Sequence, residues 1–134
     1  MNIRAITWED ALPIRHNVLW PNKSALFCKV AGDEAAKHYG VYIDNMLVSV
    51  ASVYIDGKTA RLRKFATLVK FQGKGFGTKL ISYIINLLIN IQVTSFWCDA
   101  RKTAIEFYRQ FNMVQQGGEF DKSGVWYVKM TLEL

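Results

Sequence analysis

The chain has 134 residues, 51% of them hydrophobic and 21% charged, a balance that is globular, not that of a disordered chain, and fits one domain with a buried core. Its net charge of +6 favours an anionic partner, whether a phosphorylated cofactor, nucleic acid or an acidic surface. The two cysteines, Cys28 and Cys98, form no disulfide framework and no zinc spacing, so they read as buried thiols of a reducing compartment. No metal site is expected. The first residues lack the unbroken apolar core of a signal peptide. The most apolar run, Ile81 to Ile91, is interrupted by Asn86 and Asn90 and is too short to span a bilayer. The expected location is cytoplasmic, with no membrane partner.

Ile3 to Thr7 alternates as a short strand, and Thr7 or Asp10 is placed to cap a helix through Ala11, Ile14, Arg15 and Val18 that stops at Pro21. Asn22 to Lys37 shows no clear period and reads as loop with a short helix. From Tyr39 the period becomes two. Val41-Tyr42-Ile43, the polar pair Asp44-Asn45, and Met46 to Ile55 predict a hairpin, and Asp56-Gly57 returns the chain as Thr59 to Leu68. Three such strands make an antiparallel meander. Phe76, Leu80, Ile81, Ile84, Ile85, Leu87, Leu88 and Ile91, spaced by threes and fours, predict a long helix with a wide buried face. Val93 to Asp99 reads as a short strand. Thr103-Ala104-Ile105-Glu106 matches a capping box opening a helix with Ile105, Phe107, Tyr108 and Phe111, which ends near Asn112 in a left-handed cap. Asp121-Lys122-Ser123-Gly124 supplies the last turn. Val125 to Leu134 then alternates, with Trp126, Val128, Met130, Leu132 and Leu134 on one face; the oligomeric state is left open, and a homodimer paired across this strand with Trp126 is one expectation. The expected fold is α+β (mixed α/β): a single domain, 1–134, with a mostly antiparallel central sheet of about six to seven strands flanked by helices.

The strongest chemical signal lies at the strand-to-helix junction Gln72-Gly73-Lys74-Gly75-Phe76-Gly77. Three missing side chains let backbone amides approach a ligand, and the helix start adds partial positive charge, which suits a pyrophosphate. Arg61, Arg63, Lys64, Lys70, Lys74 and Lys79 surround it. The P-loop pattern is absent. The dinucleotide fingerprint belongs at the first strand of a parallel unit, whereas these glycines follow a meander. Lys74-Gly75-Phe76-Gly77 also opens like an RNA-recognition motif, but Thr78 and Lys79 stand where that motif needs apolar and aromatic strand residues.

The longer run Leu62-Arg63-Lys64-Phe65-Ala66-Thr67-Leu68-Val69-Lys70-Phe71-Gln72-Gly73-Lys74-Gly75-Phe76-Gly77-Thr78-Lys79-Leu80 resembles the central motif of the GCN5-related N-acetyltransferase (GNAT) family, Gln/Arg-x-x-Gly-x-Gly/Ala between the fourth strand and a long helix. Ala104-Ile105-Glu106-Phe107-Tyr108 resembles a second family signature, and the order of elements agrees over essentially the whole chain. The resemblance implies the acyl-CoA N-acyltransferase fold, with acetyl-CoA as co-substrate. It implies that backbone groups of Phe65, Ala66 and Thr67 pair with the pantetheine arm. Amides of Gly73, Lys74, Gly75, Phe76, Gly77 and Thr78 would hold the pyrophosphate, with Gln72 at the start of the turn. A backbone amide in the Thr67–Leu68 stretch would polarise the thioester carbonyl, and Tyr108 would be the general acid. Ile14 to Asn22 would border the acceptor pocket, where Trp20 either lines it or packs.

Three positions depart from the family pattern. Arg101 stands where Asn is common, and either meets a phosphate or pairs with Asp99; Asn112-Met113 replaces a frequent Gly-Phe. The fourth strand carries no carboxylate, so no general base is named. His16 and His38 read as surface or hydrogen-bonded structural residues. The expected activity is acetyl transfer to a primary amine of a small molecule or protein. A turnover-deficient CoA-binding regulatory or interaction domain and a basic nucleic-acid-binding module remain the alternatives, although nucleic acid is not the expected partner.

Overall fold

The computed structural model describes residues 1–134. Its strands are β1 (Asn2–Ile6), β2 (Lys37–Ile43), β3 (Met46–Asp56), β4 (Thr59–Thr67), β5 (Ser95–Arg101), β6 (Val114–Lys122) and β7 (Val125–Glu133). They form one sheet in the order β1-β2-β3-β4-β5-β7-β6. The β4–β5 pair is parallel, and β1–β2, β2–β3, β5–β7 and β6–β7 are antiparallel. The helices are α1 (Trp8–Ile14), α2 (Phe76–Asn90) and α3 (Ile105–Arg109). The expected α+β class and element order are observed. Asp44 and Asn45 hold φ of 49° and 64°, the left-handed pair that a two-residue hairpin needs. Ser123 (φ 55°) and Gly124 (φ 78°) repeat this in the last hairpin, where the Gly124 amide donates to Asp121 Oδ1 at 3.1 Å.

The chain divides into two compact units. The first comprises Met1–Tyr54 with Arg63–Ile84. Its core gathers Ala11, Ile14, Val50 and Ala66, with Ile6, Val18, Leu19, Leu47 and Leu68 packed against them. Thr7 caps α1 in a full capping box with Asp10, as expected. The helix ends sooner than its pattern predicts. Pro13 lies inside it and supplies no backbone donor, and Arg15–Leu19 continue as a π-helical turn.

That turn carries a fully buried arginine. Arg15 donates to Asp33 through both terminal nitrogens, at 2.8 and 3.0 Å, and further to the Cys28 carbonyl at 3.1 Å and Ser52 Oγ at 2.9 Å. Asp33 also accepts from the Tyr54 hydroxyl at 2.5 Å and the Val30 amide at 2.8 Å. The proton order of His38 follows. Nε2 faces the Asp33 carbonyl at 2.8 Å and must donate, so Nδ1 accepts from the Ser52 hydroxyl at 2.6 Å, whose oxygen takes the Arg15 proton.

Burial alone would raise the Asp33 pKa, but hydrogen bonds from Arg15, Tyr54 and Val30 outweigh it and hold it at about 2. Its folded value lies below the ordinary one, so the stability it contributes is complete above about pH 4 and is lost as pH falls toward 2, roughly 2 kcal/mol across that window. Tyr54→Phe removes one of the bonds. Urea unfolding is expected to show it about 1 kcal/mol less stable than wild type at pH 6, with a smaller acid loss; an equal acid loss in both proteins would dissociate Tyr54 from the Asp33 titration.

The second unit comprises Ile55–Leu62 with Ile85–Leu134. Its core holds Leu62, Leu88, Phe96, Cys98, Ala100, Met113, Val128 and Met130, all buried. Three expectations are corrected here. The capping box at Thr103–Glu106 does not form: Thr103 sits in a 3-10 turn, Lys102–Ala104, α3 starts from Ala104 without a side-chain cap, and Glu106 pairs forward with Arg109. Consequently α3 spans five residues, although Asn112 does end the segment in the left-handed conformation expected (φ 67°). The terminal strand β7 lies between β5 and β6, so both its ladder edges are used and it offers no dimer edge. On the face that Trp126 shares with Val128 and Met130, Trp126 is 52% exposed while the other two are buried.

Candidate active site

The end of β4 and the turn beyond it are tied together by side chains. Gln72 Nε2 donates to the Thr67 carbonyl at 2.9 Å, which folds the turn back onto the strand. On the other side the Leu68 amide donates to the Val48 carbonyl at 2.9 Å, and Ser49 Oγ donates to the Ala66 carbonyl at 3.3 Å. Backbone groups alternate in direction along a strand, so Ala66 and Leu68 face β3 while Phe65 and Thr67 face the opposite edge. Of the three residues expected to present backbone groups, Ala66 is therefore turned inward. Within the Thr67–Leu68 stretch, the Leu68 amide is already engaged, and Thr67 carries the outward one. Lys64 takes φ of 54° within β4, a conformation that costs a non-glycine residue about 1 kcal/mol and is typical of local strand irregularities beside sites.

The three glycines serve different ends. Gly73 (φ 72°) and Gly75 (φ 86°) are left-handed, and an added Cβ would meet no atom within 4 Å at either. Conformation selects glycine there, and the space beside the backbone is open. At Gly77 a Cβ would lie 2.7 Å from the tip of the Phe65 ring, so packing of α2 on β4 excludes a side chain. The first bond along α2 joins the Lys79 amide to the Gly75 carbonyl at 3.1 Å. The Phe76 and Gly77 amides before it point out along the helix axis. Phe71 and Phe76 face each other at 6.2 Å across the turn, and Lys70, Lys74 and Lys79 lie in it or within two residues of it along the chain. Such an arrangement suits a diphosphate.

Tyr108 belongs to the second unit. It is 7% exposed on α3, with Phe107 edge-on at 5.2 Å. Its hydroxyl hydrogen-bonds the Cys98 thiol. Burial first, and then the neighbouring thiol, push the phenol pKa well above its ordinary value, so it carries its proton at neutral pH. Burial likewise pushes the Cys98 thiol up to about 12.

His16 Nε2 donates to the Lys23 carbonyl at 2.7 Å, and His38 is locked in the Arg15 network; both are structural, as expected. Asp99 accepts from Arg61 at 2.9 Å and pairs with Lys122 at 3.5 Å. Trp20 meets Phe27 edge-on at 5.3 Å, while Leu26 beside it is 72% exposed. Sequence reasoning missed the Arg15–Asp33 pair. The available signal was an arginine sharing a helical face with Ala11, Ile14 and Val18, where an unpaired charge would be costly.

The sheet order and its flanking helices are those of the acyl-CoA N-acyltransferase fold. The family model for the acetyltransferase (GNAT) domain matches residues 22–134. The uncharacterized N-acetyltransferase YitI of Bacillus subtilis (strain 168) is 31% identical over 134 residues, covering 93% of this chain and 90% of the relative. Among solved structures, the ribosomal-protein-S18-alanine N-acetyltransferase of Escherichia coli matches with a TM-score of 0.82 at 16% identity, over 98% of this chain and 92% of that one. A GNAT family acetyltransferase of Elizabethkingia anophelis with acetyl-CoA bound matches with a TM-score of 0.75 at 17% identity, over 99% and 97%. The chain belongs to the GNAT family and is an N-acetyltransferase by class.

Proposed function

We propose that residues 1–134 act as one acetyltransferase domain that transfers an acetyl group from acetyl-CoA to a primary amine of a small molecule or protein, by direct attack. The observation that carries this reading is the turn at Gln72–Gly77, with two left-handed glycines beside open space and helix-start amides directed outward. Gly73, Lys74, Gly75, Phe76, Gly77 and Thr78 hold the pyrophosphate of the co-substrate through their amides. The outward edge of β4 at Phe65 and Thr67 aligns the pantetheine arm, and Gln72 braces that edge through the Thr67 carbonyl. The Thr67 amide stabilises charge growing on the thioester oxygen, and Tyr108 donates its proton to the departing sulfur. The acceptor nitrogen must be unprotonated when it attacks, and its surplus proton leaves afterwards. Two buried free thiols fit a reducing, cytoplasmic setting, and no helix is long and apolar enough to cross a membrane.

A thiol-release assay with acetyl-CoA and a panel of amines (a polyamine, an aminoglycoside, free amino acids and peptides with a free α-amine) tests the proposal. Amine-dependent release is expected from at least one class. Binding of acetyl-CoA without release from any amine would favour the regulatory alternative, and absence of binding would remove the coenzyme site altogether.

A further inference from the structure

We infer that residues 20–27 select the acceptor, and that the acceptor is an amino acid with a large apolar or aromatic side chain. Trp20, Leu26 and Phe27 meet that side chain, and Lys23 meets the carboxylate. This rests on the proposal that the end of β4 holds the thioester of acetyl-CoA. Val18 and Leu19, the last residues of the π-helical turn, pack on the cluster of Ala11, Ile14, Val50 and Ala66, and so does Leu68. The start of the segment and the Thr67–Leu68 stretch therefore rest on one cluster. The backbone between is well held. His16 Nε2 donates to the Lys23 carbonyl at 2.7 Å, the Lys23 amide to the Trp20 carbonyl at 3.1 Å and the Phe27 amide to the Ser24 carbonyl at 3.1 Å. Beyond it the buried Arg15–Asp33 pair grips the Cys28 carbonyl and the Val30 amide. On this frame Leu26 is 72% and Phe27 43% exposed, with the Trp20 ring edge-on to Phe27. Adjacent large apolar side chains held in water on a fixed backbone make a contact surface.

Charge then selects among amines. No Asp or Glu occurs in residues 11–32 or 57–98, the stretches that supply this segment and the end of β4. The carboxylates flanking the first stretch are engaged: Asp10 accepts from the Thr7 amide, Asp33 holds Arg15, and Glu34 pairs with Lys29. A polyamine or an aminoglycoside would bring several cations to a surface that offers them no partner. An α-amino acid fits. Lys23 is exposed, with its ammonium 5.4 Å from the centre of the Phe27 ring, so a carboxylate that reaches it brings its own side chain to the same aromatic surface. Positive surroundings also favour the unprotonated amine, the form that attacks. The step balances: an N–C bond forms at the thioester carbon as the C–S bond breaks, and one proton of the amine ends on the thiol of free CoA.

The test compares acceptors on the full chain by thiol release from acetyl-CoA: phenylalanine, alanine, phenethylamine (phenylalanine without its carboxylate), a peptide with N-terminal phenylalanine, spermidine and an aminoglycoside. Phenylalanine is expected to exceed spermidine and the aminoglycoside in kcat/KM by at least about 10-fold. It should exceed alanine by about 10-fold through the apolar contact, and phenethylamine by about 5-fold through an exposed ion pair. Phe27→Ala should lower kcat/KM for phenylalanine about 10-fold and leave alanine within about 2-fold of wild type. Lys23→Ala should abolish the preference for phenylalanine over phenethylamine. Both side chains are exposed, so the thermal midpoint and the calorimetric affinity for acetyl-CoA should stay at their wild-type values. Spermidine or the aminoglycoside as best acceptor overturns the inference, as does an unchanged rate with phenylalanine in Phe27→Ala. Better use of the peptide than of free phenylalanine, or an unchanged preference in Lys23→Ala, overturns the carboxylate contact. In all of these cases amine-dependent release persists and the acetyltransferase reading stands. No release with any amine removes both.

Discussion

Gly75→Glu is expected to weaken acetyl-CoA binding by at least about 100-fold, a loss near 3 kcal/mol, in a protein that still folds. Two effects combine. Gly75 sits at φ 86°, where any side chain adds about 1 kcal/mol of backbone strain, and the new carboxylate would stand among the amides proposed to face the diphosphate. A Cβ here meets no atom within 4 Å, so the change brings no clash within the protein, and the thermal midpoint should fall by only about 3–5 °C. Gly75→Ala separates strain from charge. It should share the lowered midpoint but lose only about 5- to 10-fold in affinity. Calorimetry on the three proteins decides the matter. Equal affinity in Gly75→Glu and wild type would mean that no diphosphate sits at this turn.

Tyr108→Phe is expected to lower kcat by roughly ten- to a thousand-fold, at or below the usual range for a lost acid–base group, with little change in CoA affinity. The split follows from the chemistry: a proton delivered to the leaving sulfur is needed only as the C–S bond breaks, so its loss appears in kcat and not in ground-state binding. Burial and the Cys98 contact hold the phenol pKa above its ordinary value, which means that the acid form persists as pH rises. Wild-type kcat should show no fall from loss of this acid below about pH 10. Measurement of kcat against pH for both proteins, with acetyl-CoA saturating, tests the pair of statements. An unchanged kcat in the mutant would leave Tyr108 a packing residue of α3.

Most of the fold is legible along the chain because its signals are local. The pair Asp44-Asn45, the Asp56-Gly57 turn and the cap at Thr7 are each set by two to four neighbouring residues whose backbone preferences suffice. The failures are equally specific. Thr103–Glu106 satisfies the capping-box pattern, yet the chain leaves β5 through a 3-10 turn that places Thr103 outside the cap position. Pro13 was visible in α1, but its consequence, a widened turn bearing Arg15, depends on what that arginine meets.

The amino-acid order alone determined where the glycine turn falls, which helix follows it, and that Tyr108 lies on a separate helix downstream, because each is a matter of spacing along the backbone. Only the tertiary structure decided that Ala66 turns its carbonyl to Ser49 while Thr67 faces outward, that Arg15 is paired with Asp33, and that the Tyr108 hydroxyl meets Cys98. These contacts join residues 17, 18 and 10 positions apart, on elements whose register is set by packing. No periodicity or propensity along the chain encodes which of two faces a partner occupies until those elements are assembled.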